Sequence, residues 1–288
     1  MRPSTTADHP LPDHSWLGDP IDARPLFTAE RAALLADLRG LAPAAWHEEA
    51  VPGWTVRDLA AHVLGDDAGR ISRDRDGHRE GPAPVPGETL EEFIHRINQE
   101  WVNACRRLSP AVIVEMLEVN GVSVARLFQD ADLTRPSLGV SWAGADPAPL
   151  WLDCAREFTE YWTHRQQIRQ ATGRTTDPQP RALALVLNTF ARALPHTLRA
   201  TEADRGTQVR LVVEGPAGGT WTATAGDTGW SLAPEPSGPP AATVRLDAET
   251  AWRLCVRAIE PATAVERGRL EGDRRLAEAI CRIVSIIR

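Results

Sequence analysis

The chain has 288 residues, a net charge of −7, 42 % apolar residues and 25 % charged residues. That is the composition of a soluble globular protein, with material for one large or two compact domains. The acidic balance argues against a phosphate-neutralising nucleic-acid surface, and no apolar run reaches the about 18 residues that cross a bilayer, so neither nucleic acid nor membrane is an expected partner.

Met1 to Leu26 is rich in Pro and Asp and lacks the apolar stretch of a secretory signal. Residues 1–26 are therefore expected as a poorly ordered or extended leader, and the protein as cytoplasmic. A first helix is predicted over residues 28–41, with Leu34, Leu35 and Leu38 at helical spacing. After the Val51-Pro-Gly-Trp54 turn, Thr55 and Asp58 have the spacing of a capping box, so a second helix is predicted over 55–72, carrying His62. Residues 73–87 read as an exposed loop. A third helix is predicted over 88–108 and a fourth over 111–128, begun by Pro110. A Pro- and Gly-rich tract over 134–149 leads into a fifth helix over 150–171, which carries Glu160 and His164. These elements imply a helical bundle over 27–172.

Residues 172–180 read as a linker, and beyond them the texture changes. One helix is predicted over 181–199, then short β-type runs at 208–214, 220–225, 229–233 and 242–246. Two helices capped by Asp247 and Asp273 follow, over 248–258 and 274–287. Strands in series with helices around them imply a small α+β domain over 180–288. The fold class is thus a mix: an N-terminal helical bundle followed by a small α+β domain.

All cations are Arg, so no Lys can serve as a Schiff-base or general-base residue. Cys105, Cys154, Cys255 and Cys281 are widely spaced, and they read as buried, reduced thiols. Glu160 and His164 lie four apart on one helix face, and a facing helix that presents His62 would complete two imidazoles and a carboxylate, a set that holds a metal and leaves positions open. Taken singly, the pair also suits an exposed helical ion pair, and His62 a hydrogen-bonded core histidine. Asp58, Asp66 and Glu157 are candidates to orient the imidazoles from outside. His47, His78 and His95 lack such a pattern and read as surface residues.

Gly53-Trp-Thr-Val-Arg-Asp-Leu-Ala-Ala-His62 and Glu160-Tyr-Trp-Thr-His164-Arg-Gln-Gln-Ile-Arg169 resemble, in order and spacing, the two signatures of the mycothiol-dependent maleylpyruvate isomerase family. The resemblance implies a DinB-like four-helix bundle that binds Zn²⁺ or another divalent metal through His62, Glu160 and His164. It also implies mycothiol as the thiol cosubstrate. More weakly, Trp252-Arg-Leu-Cys-Val-Arg257 and Gly272-Asp273 resemble parts of a sterol-carrier-protein-like domain, with Val256 where that family often has Gly.

A metal with this ligand set converts water to hydroxide or thiol to thiolate at neutral pH. The expected activity is attack of a metal-activated thiolate on a small electrophile, ending in S-transfer or cis–trans isomerisation. A metal hydrolase and a non-catalytic metal-binding or regulatory module are the alternatives. Arg257 is the expected catalytic arginine, orienting a carboxylate by a bidentate contact, and Arg169 is a weaker candidate. Trp54, Tyr161 and Trp162 are expected to pack. The expected state is a monomer or small homo-oligomer.

Overall fold

The computed structural model describes residues 12–177, 179–233 and 238–286. Its N-terminal half is helical, with α1 (Phe27–Arg39), α2 (Val56–Arg70), α3 (Leu90–Cys105), α4 (Pro110–Gln129) and α5 (Leu150–Ala171). Local chemistry sets three of the starts. Thr55 Oγ1 accepts from Asp58 N at 3.2 Å while Asp58 Oδ2 accepts from Thr55 N, and Thr89 and Glu92 repeat this box on α3. Ser109 caps α4, with Pro110 at the first helical position. Two short hairpins punctuate the helices: β1 (Glu49–Val51) with β2 (Trp54–Thr55), and β3 (Pro136–Ser137) with β4 (Ala148–Pro149). Gly53 closes the first with φ 83°, a left-handed value open to glycine.

Helix α2 lies among α3, α4 and α5, and α1 packs on α4 and α5. The α2–α5 seam is ionic as well as apolar. Arg70 donates to both oxygens of Asp153, at 2.8 and 3.0 Å, and to Glu157 at 2.6 Å; all three side chains are buried. One turn away, Asp67 accepts from Arg31 at 2.7 Å and from the Tyr161 hydroxyl. Contacts of Arg70 with Asp153 and of His62 with His164 show that the helices run in opposite directions, so successive turns of one face successive turns of the other.

The C-terminal half begins with α6 (Pro180–Phe190) and α7 (Leu194–Leu198). A mixed sheet follows in the order β7-β6-β5-β8-β9, built from β5 (Gln208–Glu214), β6 (Gly219–Gly226), β7 (Gly229–Ala233), β8 (Ala242–Asp247) and β9 (Arg269–Gly272). The β5–β8 pair is parallel and the others antiparallel. Helices α8 (Ala248–Cys255), α9 (Pro261–Arg267) and α10 (Arg274–Ile280) complete it, α8 and α10 capped by Asp247 and Asp273. The expected sequence of a helical part followed by an α+β part is what the fold shows. Buried apolar side chains from both halves form one continuous cluster, and Trp162 of α5 meets Trp252 of α8 edge to face at 5.4 Å.

Four details differ from the sequence reading. Residues 12–26 of the expected leader are folded: 3₁₀ turns at Ser15–Leu17 and Arg24–Leu26 bury Leu17, Ile21 and Ala23, and Arg192 Nη1 donates to the Leu17 carbonyl at 2.6 Å. The rest of that leader, residues 1–11, lies outside the described residues. The single helix expected over 181–199 is broken at Ala191–Ala193, just before Pro195, which has no N–H to continue the ladder. Helix α10 ends at Ile280 and not near residue 287, because the tail turns back and Ser285 donates to the carbonyls of Cys255 and Phe190. Helix α9 and strand β9 were not expected.

Candidate functional site

Helix α2 brings His62 and Asp66 to the α2–α5 seam, and α5 brings Glu160 and His164 to the same place. The two imidazoles stand edge to face with centroids 4.9 Å apart, at 87°. Each is only 7–8 % exposed. His62 Nε2 lies 3.3 Å from Asp66 Oδ2, and His164 Nε2 lies 3.3 Å from Glu160 Oε2. Two helical i,i+4 pairs therefore face each other across the seam. The Trp54 ring flanks His62 at 5.1 Å, held by its Nε1 donation to Gln99 at 2.9 Å. Gly65 lets α3 come close on the other side: a Cβ there would meet the Trp101 ring at 2.6 Å, and Trp101 Nε1 donates to Ala61 O.

The proton arrangement on His164 is informative. Its Nδ1 is 2.8 Å from the Gln167 amide oxygen, which only accepts, so Nδ1 carries the hydrogen. In that tautomer Nε2 offers a lone pair. It is buried, has no hydrogen-bond partner of good geometry among the described residues, and sits beside a carboxylate oxygen. A lone pair facing a carboxylate is stable only if a proton or a cation lies with them. Burial pulls the His164 imidazole pKa down, but Glu160, Gln167 and Asp66 together hold it above its ordinary value. His62 goes the other way. Burial, reinforced by His164, lowers it to about 3, so it is neutral and ligand-ready. Burial acts to raise the Glu160 carboxyl, yet His164, Arg156 and His62 hold it below the usual range, so it is anionic.

The sequence-predicted residues are thus partly gathered. His62, Glu160 and His164 come together, and two neutral-capable imidazoles with one carboxylate fit a divalent cation by donor type. Among the described residues no group of three or more His, Cys, Asp or Glu is already drawn to ion-holding distance; the donors stand as two adjacent pairs.

Several neighbours differ from expectation. Asp58 is occupied in the helix cap and does not reach His62. Glu157 belongs to the Arg70 and Tyr161 network. Asp66 does contact His62. Arg169 donates to Asp37 and to the Thr175 carbonyl, which makes it part of the α1–α5 ion network. Arg257 lies at the end of α8 with φ 56°, its side chain 43 % exposed and 3.9 Å from Glu91 at the start of α3. Its left-handed backbone closes α8: Arg257 N donates to Leu254 O and Ala258 N to Arg253 O. No contact recorded among the described residues links Arg257 to the His–Glu group. Tyr161 and Trp162 are fully buried packing residues, as expected, whereas Trp54 is half-buried on the rim. His47, His78 and His95 are exposed.

Gln167 was missed by sequence reasoning. Its spacing, three residues after His164 on one helix, was the available signal. All four cysteines are free and buried, and burial raises the Cys154 thiol well out of the reactive range.

Residues 27–169 match the family described as the mycothiol maleylpyruvate isomerase N-terminal domain. No curated protein matches the chain. Among solved structures, the chain is similar to a histidine-to-alanine mutant of the mycothiol-dependent maleylpyruvate isomerase, with 14 % identity, 81 % of this chain and 88 % of that chain covered, and a TM-score of 0.52. A second crystal structure of the mycothiol-dependent maleylpyruvate isomerase aligns with the same identity and coverage at a TM-score of 0.48. The likeness to the first of these, covering 81 % of the chain, reaches past residue 169 into the α+β part. Through residues 27–169, the chain belongs to the mycothiol maleylpyruvate isomerase N-terminal domain family.

Proposed function

We propose that this chain is a metal-dependent enzyme that uses a low-molecular-weight thiol, mycothiol, to attack a small electrophilic substrate, giving S-transfer or cis–trans isomerisation. The observation that carries the reading is the buried Nε2 of His164, without a well-formed hydrogen bond among the described residues, beside Glu160 and His62. Family membership and the fold likeness to mycothiol-dependent maleylpyruvate isomerase support the thiol and the reaction class.

His62, Glu160 and His164 are the residues that would hold the ion. When bound, a divalent cation would supply the positive charge that lets a thiol, with a free pKa near 8.5, ionise at neutral pH. The chain's own groups do the rest. Gln167 fixes the His164 tautomer and so aims Nε2 into the seam. Burial keeps His62 neutral. Trp54 forms an apolar wall against which the thiol or substrate lies. Because every cysteine is buried, the nucleophilic sulfur comes from outside the chain. Arg257, half-exposed at the end of α8 and 3.9 Å from Glu91, is the guanidinium proposed to orient a substrate carboxylate.

The test incubates the metal-loaded protein with mycothiol and a panel of small electrophiles, including cis-enediones, and reads thioether adducts and isomerised products by mass spectrometry. Turnover that needs both metal and mycothiol is expected. Turnover with metal but without thiol, yielding hydrolysed product, would replace this reading with a hydrolase.

A further inference from the structure

We infer that Asp66 is a fourth donor to the cation held by His62, Glu160 and His164. The inference rests on the proposed metal reading and concerns a residue outside that ligand set.

The two i,i+4 pairs are alike in the feature that matters. In each, an imidazole Nε2 and a carboxylate oxygen lie 3.3 Å apart. Two donors that each sit about 2.0–2.1 Å from one ion at a tetrahedral angle are about 3.3 Å apart. Both pairs therefore have the separation of two donors to one ion. A carboxylate that only orients a ligand histidine faces the ring nitrogen turned away from the ion. Gln167 does this for His164, from Nδ1. Asp66 instead faces Nε2, the nitrogen type that His164 presents to Glu160.

The wider geometry agrees. One turn further along the seam, Arg70 of α2 satisfies Asp153 and Glu157 of α5. At the next turn Asp66 of α2 faces the level of Glu160 of α5, and at the third His62 faces His164. Arg70 supplies the positive charge for its level. Among the described residues the Asp66 carboxylate has one ion-pair partner, His62. Asp66 is also placed for exchange: its side chain is 30 % exposed against 10 % for His62, so it is the donor an incoming ligand reaches first.

The test titrates Co²⁺ into the full-length protein by calorimetry and records the visible d–d bands of the loaded form, for wild type, Asp66→Asn and Asp66→Glu. Circular dichroism confirms that each is folded. Asp66→Asn is expected to weaken Co²⁺ binding about 10–100-fold and to shift the bands, and Asp66→Glu to recover part of the affinity with bands distinct from both. Weakened binding with unchanged bands in both variants would overturn ligation and leave only a long-range charge effect. Unchanged affinity in both would also overturn it. If wild type itself fails to bind one Co²⁺ per chain, the metal reading fails, and Asp66 with it.

Discussion

Replacing Asp153 by Ala removes the centre of the ion network that fastens the His62 helix to the Glu160–His164 helix. Five hydrogen bonds are lost at once: two from Arg70 at 2.8 and 3.0 Å, two from Arg156 at 2.7 and 3.3 Å and one from Ser137 at 2.6 Å. Asp153 is fully buried and Arg70 nearly so, and breaking a buried pair by deleting one partner costs about 3–5 kcal/mol. Glu157 at 2.6 Å and Asp74 at 3.1 Å still hold Arg70, which places the cost near the lower end, about 3 kcal/mol. With an unfolding entropy of about 2.1 cal/mol/K per residue over a chain of this length, that is a fall of about 5 °C in Tm. The assay is thermal unfolding followed by circular dichroism, with Ser137→Ala as the control that removes one bond and moves Tm by about 2 °C or less. A Tm within about 1 °C of wild type for Asp153→Ala would refute the reasoning. The same residue gives a pH signature. Although burial opposes ionisation, Arg70 and Arg156 hold the Asp153 carboxyl far below the usual range. Its stabilisation is therefore complete above the unfolded carboxylate pKa and lost as the pH falls below about 4. Wild type should lose stability in that window more steeply than Asp153→Ala.

The four buried thiols, with Cys255 pushed up to about 12 and Cys281 to about 11 by burial, should resist alkylation in the native protein at pH 8. All four should react once the chain is unfolded, as mass spectrometry would count; rapid native labelling of any one would contradict its burial. Trp252→Ala removes one ring of the edge-to-face pair between the two halves and should cost about 3–5 kcal/mol in urea unfolding. A cost below about 1 kcal/mol would mean that the seam is not packed as described.

Local chemistry was the legible part. The Thr55–Asp58 box could be read because cap and partner are three residues apart, and the Glu160–His164 pair because it lies on one helix face. The same box explains why Asp58 was misassigned: spacing alone cannot show that its carboxylate is already occupied by Thr55. Non-local contacts were hidden. Leu17 looks like part of an acidic, Pro-rich arm until β7 and Arg192 are in place to cover it. Arg169 has the look of an anion-binding residue until Asp37 arrives from α1, well over a hundred positions away in sequence. Strand β9 is four residues long and exists because β8 offers an edge to pair with. Gln167 was visible by spacing, but its meaning depends on which imidazole nitrogen it faces, a property of the folded side chains.

The account stands on a single ion shared by His62, Glu160 and His164, and metal stoichiometry after loading with Zn²⁺ and exhaustive dialysis tests it most directly. Wild type is expected to retain one Zn²⁺ per chain, while folded His62→Ala, Glu160→Ala and His164→Ala each lose most of it and exposed His95→Ala does not. Full retention of zinc by folded His164→Ala, or its absence from wild type, would contradict the assignment.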